Sequence, residues 1–255
     1  MDKFFIKFNL KQSIVRFCKL AILVFLLFQV DRTIAQQPSR IAIVNLADSN
    51  LIYKHVGFAS FKDKADTFEC QFNCKKYIGQ ELKRILSTRY AVSILPAPEK
   101  LIPVQGSIYN LMNSNNDVKS WISDLKNQYD FVIFIETGEE DDLMDTRKQK
   151  LRSCGFYTRG NPAKSWVAVY STTRFTAMRT SNLELVDYDW KAMDYLLPIS
   201  DYQFSRQNLL IDSEMLPVIK TELIKLLDYK MEYFLTNSYL LPNVDYESSK
   251  KMKDN

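Results

Sequence analysis

The densest group of ionisable side chains lies directly after the most apolar stretch of the chain. Residues 138–152 read GEEDDLMDTRKQKLR, so five acids are followed closely by four basic side chains. Clustered carboxylates can bind a divalent cation, and a pair of them can hydrolyse a glycosidic bond. The spacing is not that of an EF-hand, and adjacent acids more often form a solvated surface. We predict a partner-binding surface here, formed by Glu139, Glu140, Asp141, Asp142, Arg147 and Lys148.

Histidine occurs once, at position 55, which excludes the zinc motif HExxH and every site with several histidine ligands. His55 could in principle act as the base for a nucleophilic Cys154. A single histidine beside Lys54, with no motif around it, is far more often a surface or strand residue. The sequence therefore predicts no metal site, and it favours a non-catalytic role without deciding the question.

Glycine is too sparse for the common phosphate-binding loops. The six glycines stand at 57, 79, 106, 138, 155 and 160, and no two are closer than five residues. Neither GxGxxG nor a P-loop pattern can be written, and no GxSxG elbow is present. We therefore expect no nucleotide and no other cofactor.

The first 35 residues have the composition of a secretion signal. Five basic residues and one acid precede residue 20, and the eleven residues 20–30, LAILVFLLFQV, carry no charge. A membrane-spanning helix needs about 20 apolar residues, so a cleaved leader is favoured over a permanent anchor. Thr33 and Ala35 fit the small-residue cleavage pattern. We predict export to the periplasm or the medium, with 36–246 as a single domain and 247–255 as a disordered polar tail.

Charge outside the leader is balanced. The leader holds six of the 34 lysines and arginines and two of the 30 acids, which leaves 28 of each. A neutral domain gives no reason to expect nucleic acid, which requires a basic face. Cys18 lies before the apolar run instead of after it, so we expect no lipid anchor and no stable membrane attachment. The mature part has no Asn-x-Ser/Thr site, which favours a bacterial source.

Three cysteines follow the leader: Cys70, Cys74 and Cys154. An odd number in an exported chain leaves one thiol free or bonded to another molecule. Cys70 and Cys74 are close enough in sequence for a local disulfide, and unpaired, packed thiols are the alternative. The sequence does not decide between the two.

The first half of the mature chain alternates strands with helices. Apolar runs bounded by turn residues predict strands at 40–45, 90–95 and 129–136. The residues 51–72 predict an excursion or hairpin. Strands separated by helical segments indicate crossover units and a largely parallel sheet.

Three helices are predicted from apolar residues at helical spacing. Asn73 caps the first, which runs to about Thr88, and Asn116 caps the second. The third opens at Ser213, and its apolar face consists of Leu216, Ile219, Leu223, Leu226, Leu227, Met231 and Phe234.

Antiparallel strands are predicted for the second half. Residues 155–159 and 166–179 have strand patterns, and a turn at 180–182 leads into another strand, LELVDY. We therefore predict an α/β fold whose mixed sheet has a mainly parallel core, an antiparallel extension and helices packed against it. The strand 166–179 alternates in one register through Val167, Val169, Ser171, Thr173 and Phe175.

Five segments carry a resemblance to a known class of domain: RIAIVNL at 40–46, KKYIGQELKRIL at 75–86, YAVSIL at 90–95, YDFVIFIETG at 129–138 and WVAVYSTTRFTAMRTSNLELV at 166–186. Their order resembles the Rossmann-like amino-terminal domain of the Tol-Pal translocation protein and the related curli-secretion and penicillin-binding-protein-activator lipoproteins. The chain departs from these families in lacking a lipidated cysteine and a second domain, and in its long excursion at 51–72. Those families bind partners without catalytic residues, so the resemblance implies a non-enzymatic binding role. The layout also resembles uncharacterised exported bacterial proteins.

Together these features predict an exported, non-catalytic protein of a bacterial cell envelope. It would bind another protein or a cell-wall component through loops at the edge of the sheet. A secreted hydrolase that uses paired carboxylates is the alternative. A deep cleft that holds two carboxyl groups within about 10 Å would favour the hydrolase.

Overall fold

The structure is a computed structural model that describes residues 38–56, 64–68, 72–98, 101, 108, 115–141, 150–161, 164–188, 196–199, 216–238 and 240. Apart from Pro38, all of them belong to one compact unit that spans Ser39–Asn255. The predicted leader at 1–35 and the predicted tail at 247–255 lie outside the described residues, so both stay predictions.

Strands outnumber helices in the described part of the chain. In chain order the elements are β1 (Arg40–Asn45), β2 (Leu51–Val56), β3 (Lys64–Phe68), α1 (Cys74–Leu86), β4 (Ala91–Leu95), α2 (Asn116–Leu125), β5 (Phe131–Thr137), β6 (Glu139–Asp141), β7 (Lys150–Arg152), β8 (Cys154–Asn161), β9 (Lys164–Ser171), β10 (Thr173–Arg179), β11 (Leu185–Tyr188), β12 (Leu196–Ile199) and α3 (Leu216–Asn237).

Sheet A is the mixed sheet that the sequence predicts. Its five strands lie in the order β11-β10-β5-β1-β4. The strands β4, β1 and β5 are parallel, and β10 and β11 extend the sheet in antiparallel fashion beyond β5. The α/β class, the parallel core and the antiparallel extension are therefore confirmed.

Sheet B, which the sequence does not predict, contains five of the remaining strands. Its order is β12-β9-β8-β2-β3, with β2 and β8 parallel and the other neighbours antiparallel. The predicted hairpin within 51–72 is the pair β2–β3 of this sheet. The prediction of one strand over 166–179 is wrong, because β9 ends at Ser171 in sheet B and β10 begins at Thr173 in sheet A.

Two apolar clusters hold these layers together. The larger combines residues of β1, β5 and β10 from sheet A with residues of β2, β8 and β9 from sheet B, and it includes α1 and α3. The smaller packs α2 against the opposite face of sheet A, with Trp121 against Phe134. The side chains of β5 point alternately into the two clusters, since Ile133 belongs to the larger and Val132 to the smaller.

Buried polar groups fix the point at which the chain crosses between the sheets. The Thr172 N–H donates to Ser153 O at 2.8 Å, and its hydroxyl donates to Gly138 O at 2.8 Å. Lys230 of α3 has no solvent exposure, and its ammonium group donates hydrogen bonds to the carbonyl oxygens on either side of Thr172. The distances are 3.3 Å to Ser171 O and 2.6 Å to Thr173 O. A buried charge is tolerated only where such hydrogen bonds compensate it.

One disulfide joins Cys74, the first residue of α1, to Cys154, the first residue of β8. It ties a helix that packs on sheet A to a strand of sheet B. Both alternatives considered for the cysteines are therefore wrong for these two residues. The fold brings together positions separated by 80 residues, which spacing alone does not reveal. Cys70 lies outside the described residues.

Two of the described helices, α1 and α2, begin at asparagine caps, with one shift from prediction. Asn73 caps α1 as predicted, and its side-chain oxygen accepts a backbone N–H of the first turn at 2.8 Å. The cap of α2 is Asn115 rather than Asn116, because either of two adjacent asparagines can supply the same oxygen. The predicted start of α3 at Ser213 lies outside the described residues. Within those residues no helix is long and apolar enough to cross a membrane.

Candidate functional site

The carboxyl ends of the parallel strands of sheet A bring many polar side chains together. Parallel strands end at the same edge, and in open α/β sheets ligands and partners bind at that edge. The pair β6–β7, here called the charged hairpin, begins at this edge and is separated from β5 by Gly138 alone. The candidate site is therefore built around the charged hairpin.

Three of the six residues predicted to bind a partner form the strand β6 of the charged hairpin, Glu139–Asp141. The acidic strand β6 lies antiparallel to β7, which has two basic residues, so two of the three acids of β6 stand opposite a base in the register. Asp142, Arg147 and Lys148 lie outside the described residues, so their predicted role stays a prediction. The facing residues are Glu139 with Arg152, Glu140 with Leu151, and Asp141 with Lys150.

One face of the charged hairpin packs against the rest of the protein. The Arg174 guanidinium of β10 forms an ion pair with the Glu140 carboxylate, and each side chain is 20% exposed. Leu151, opposite Glu140, is buried in a cluster with Tyr157 and Tyr170 of sheet B. The described part of the segment is thus an anchored strand pair, whereas the sequence suggests a loop.

The backbone of β7 is held by two buried side chains of sheet B. Lys54 Nζ donates to Lys150 O at 2.9 Å, and the Tyr170 hydroxyl donates to Arg152 O at 3.3 Å. Burial raises the pKa of Tyr170 well above its ordinary value, so the phenol keeps the proton that it donates. These contacts join the charged hairpin to sheet B as well as to sheet A.

The other face of the charged hairpin carries exposed charges. Glu139, Lys150 and Arg152 are exposed. Arg152 Nε lies 3.1 Å from Asp48 Oδ2 in the loop after β1. Exposed ion pairs of this kind contribute only about 0–1 kcal/mol, so these charges can exchange an internal partner for an external one.

Glu136 is a buried acid next to the last residue of β5, three residues before Glu139, where the charged hairpin begins. It is 5% exposed; its Oε1 accepts the Ile108 N–H at 2.6 Å, and its Oε2 accepts the Thr176 hydroxyl at 3.4 Å. Burial raises the pKa of Glu136 to about 7, although both hydrogen bonds and the charge of Arg174 oppose that rise. Burial therefore favours the protonated carboxyl up to a higher pH than for an ordinary glutamate.

Arg174 adjoins two acids of this edge. It faces Glu136 across the β5–β10 register, and it forms an ion pair with Glu140 on β6. Gly138 leaves the space for the guanidinium, because a methyl group there would lie 2.6 Å from Arg174 Nε and 2.9 Å from Thr172 O. A larger residue at 138 would therefore force the Arg174 side chain or the Thr172 carbonyl group to shift.

The structure argues against the cysteine-histidine alternative. Cys154 is bonded to Cys74 and has no thiolate with which to attack a substrate. The side chain of His55 lies outside what the structure describes. Among the described residues, no three His, Cys, Asp or Glu side chains are placed to hold a metal ion.

Sequence reasoning missed Glu136, Arg174 and Lys230, although two of them carry a signal. Glu136 continues the alternation of the apolar residues of β5, and Lys230 stands four residues after Leu226 and four before Phe234 in the apolar face of α3. A charged residue in the inward phase of an element indicates a compensated buried charge. Arg174 has no such signal, because its neighbours at alternate positions, Thr172 and Thr176, are polar and no run of apolar residues marks that face of β10.

This architecture defines a two-sheet α/β protein with a charged hairpin at the carboxyl end of its mixed sheet. No model of a protein family matches the chain, and no curated protein matches it.

Three solved structures show a partial likeness. A DUF330 protein from Xanthomonas campestris has 7% identity and a TM-score of 0.40, over 88% of this chain and 94% of that chain. A lipoprotein from Neisseria meningitidis has 10% identity and a TM-score of 0.26, over 75% and 99%. A hypothetical protein from Chlamydia trachomatis has 8% identity and a TM-score of 0.30, over 78% and 98%. Likeness at this level gives no information on function, so the resemblance to the Tol-Pal, curli-secretion and penicillin-binding-protein-activator families stays a prediction.

Proposed function

We propose that this chain is an exported, non-catalytic protein of a bacterial cell envelope that binds another protein or an envelope component through the outer face of the charged hairpin. One observation carries the proposal: Glu139, Lys150 and Arg152 are exposed on a strand pair whose other face is anchored to both sheets. A surface that is ordered before binding loses less conformational freedom on association than a mobile loop does.

The outer face is mixed in charge, which suits a partner with a complementary mixed pattern. Complementary charges at an exposed face raise the rate of encounter and the selectivity more than they raise affinity. Their effect falls as salt increases, since the screening length is about 10 Å at 0.1 M ionic strength. Binding through this face should therefore weaken as salt rises.

Site-specific photo-crosslinking in cells tests where the partner binds. A photoreactive amino acid replaces Glu139 in one variant and Glu232, an exposed residue of α3, in the matched control. We expect position 139 to give a crosslinked product of defined mass that position 232 does not give. The same product from both positions, or no product from position 139, contradicts the proposal.

Charge reversal tests the electrostatic contribution. Glu139→Lys and Glu232→Lys change the net charge equally, and both positions are exposed. We expect Glu139→Lys to slow association with the crosslinked partner by roughly tenfold at low salt, and Glu232→Lys to leave it unchanged. Both melting temperatures should stay near that of the unaltered protein, because exposed substitutions change stability by about 0.5 kcal/mol or less.

Export is tested by the intact mass of protein recovered from a bacterial host. We expect cleavage near Ala35 and recovery from the periplasm or the medium, because the charge and length of residues 1–35 are those of a leader. Recovery of the uncleaved chain from the membrane fraction would contradict export.

A secreted hydrolase is the second candidate, and one observation favours it. Glu136 and Glu140 both adjoin Arg174, and the pKa of Glu136, about 7, is suited to a general acid. Against it, both oxygens of Glu136 already accept hydrogen bonds from the protein. In a hydrolase, Glu136→Gln should lower turnover by about 10²-fold or more. In a binding protein, Glu136→Gln should leave partner crosslinking unchanged.

A further inference from the structure

In the part of the chain that the structure describes, sheets A and B have four outer strands, and three of these contain residues that discourage pairing with another chain. β11 contains Asp187, β3 contains Lys64 and Asp66, and β12 contains Pro198. Charges and proline on outer strands are common means of preventing edge-to-edge association. The fourth outer strand, β4, reads AVSIL and has neither.

The backbone of β4 has polar groups that point away from the sheet. Ala91 N–H donates to Ser39 O, on the side of β1, at 3.1 Å. In a parallel ladder, alternate residues direct both N–H and C=O to the same neighbouring strand, so Ala91 and the residues two and four places later bond to β1. The N–H and C=O groups of Val92 and Ile94 therefore point outward. No strand among the described residues pairs with that side.

Ile94 gives this edge an apolar contact surface. Its side chain is 42% exposed, and only two other large hydrophobic side chains are comparably exposed in the described part of the chain. A methyl group at Gly79 of α1 would lie 4.0 Å from Ile94 Cδ1, so the side chain stands at the flank of that helix. A strand laid beside β4 would cover Ile94 and complete the outward hydrogen bonds.

The same flank of α1 is basic. Lys76 and Lys83 are exposed, and they stand three residues before and four residues after Gly79, which places all three on one side of the helix. Glu81, the one acid in the sequence of α1, forms its ion pair on another side of the helix. The elements that form this edge, α1 and β4, therefore present positive charge beside Ile94.

We propose that β4 accepts an extended, acidic segment of a partner protein as an added strand of sheet A. Main-chain hydrogen bonds to Val92 and Ile94 supply affinity, and acidic side chains near Lys76 and Lys83 supply selectivity. A second copy of this chain is the weaker occupant, because pairing two β4 strands would bring two basic flanks of α1 together. This surface is separate from the charged hairpin and does not depend on the function proposed for it.

Amide hydrogen exchange of the full chain tests the edge directly. In the free protein, the Val92 and Ile94 amides should exchange at least about tenfold faster than those of Ser93 and Leu95, which bond to β1. The probe is a synthetic peptide of alternating valine and glutamate, and the control peptide alternates valine and lysine. We expect the acidic peptide to slow exchange at Val92 and Ile94 by about tenfold or more, and the basic peptide to have no effect.

Two variants separate the contributions of backbone and charge. Ile94→Pro removes one outward N–H and no bond to β1, so it should abolish binding of the acidic peptide measured by fluorescence anisotropy. Lys83→Glu should weaken binding by about tenfold. Lys126→Glu, at another exposed lysine at the carboxyl end of α2, should leave binding unchanged. The comparison of the two lysine variants still tests the proposal if the proline variant does not fold.

Three results would overturn the proposal. Slow exchange at Val92 and Ile94 in the free monomer would show that another segment of this chain already covers β4. Slow exchange that requires dimer formation would show that a second copy is the occupant. Equal binding of the acidic and basic peptides, or equal binding by the Lys83→Glu and Lys126→Glu variants, would remove the electrostatic basis for an acidic partner.

Discussion

Glu136→Gln should make the protein more stable above pH 7 and should flatten the dependence of its stability on pH. Glutamine keeps an oxygen for the Ile108 N–H, and its amide can donate to the Thr176 hydroxyl. The buried packing is therefore retained while the ionisable group is lost.

The direction follows from the pKa of Glu136, which burial raises from 4.5 to about 7. The folded state binds this proton more tightly than the unfolded state, so unfolding releases a proton between these two pH values. The stability that Glu136 contributes is fully present below pH 4.5 and is lost as the pH rises through 7. This direction is opposite to that of an acid whose pKa is lowered by an ion pair.

The magnitude is set by the same two values. At about 1.4 kcal/mol per pH unit, a rise from 4.5 to about 7 corresponds to about 3 kcal/mol of stability lost between pH 4 and pH 8. The free energy of unfolding of Glu136→Gln, relative to that of the unaltered protein, should therefore be up to about 3 kcal/mol higher at pH 8 than at pH 4.

Urea unfolding at several pH values from 4 to 8, followed by tryptophan fluorescence, measures this difference. Glu232→Gln, at an exposed position of α3, is the control and should show the pH dependence of the unaltered protein. Parallel stability curves for Glu136→Gln and the unaltered protein would refute the reasoning. If the stability of the glutamine variant relative to the unaltered protein falls between pH 4 and pH 8, attraction to Arg174 outweighs the desolvation of Glu136.

Cys154→Ser should lower the free energy of unfolding by about 4 kcal/mol, because the disulfide that it removes joins residues 80 positions apart. Urea titration of the unaltered protein in its oxidised and reduced forms measures the same difference for comparison. Gly155→Ala should cost more than about 3 kcal/mol, since its methyl group would overlap the carbonyl oxygen of Ile52, and a normal melting temperature would contradict that overlap. Lys230→Met should cost about 2 kcal/mol, because the carbonyl oxygens of Ser171 and Thr173 each lose a hydrogen bond from the ammonium group. Equal urea midpoints would show that the cost of burying the ammonium group cancels the gain from these hydrogen bonds.

Elements defined by local pattern could be predicted from the sequence, and sheet membership could not. The apolar run of β1 and the cap at Asn73 act within a few residues, so they are visible in the sequence. The run 166–179 resembles one strand because its alternation continues unbroken through two strands. Val169 of β9 and Phe175 of β10 both face the larger apolar cluster, although they belong to different sheets. Alternation shows which side chains face a core, and it does not show which strand lies alongside.

The site was predictable to a similar extent. Acids followed by bases after an apolar strand indicated a charged surface at the carboxyl end of β5, and the described residues place part of that segment there. The anchoring of Glu140 by Arg174 depends on an antiparallel neighbour 34 residues away. Contacts between residues that distant in sequence depend on the complete sheet arrangement, so no local pattern indicates them.

The crossing at Thr172 restricts how this protein can change in length during evolution. β9 and β10 are joined by a single residue, and their inward side chains occupy alternate positions on both sides of it. Deleting or inserting one residue between 164 and 179 would turn every later side chain of the run to the opposite face. Either Phe175 or Val169 would then leave the larger cluster, and the strand that carries it would lose its register with the neighbouring strands of its sheet. Substitutions should therefore accumulate in this run, whereas insertions and deletions should be absent from it.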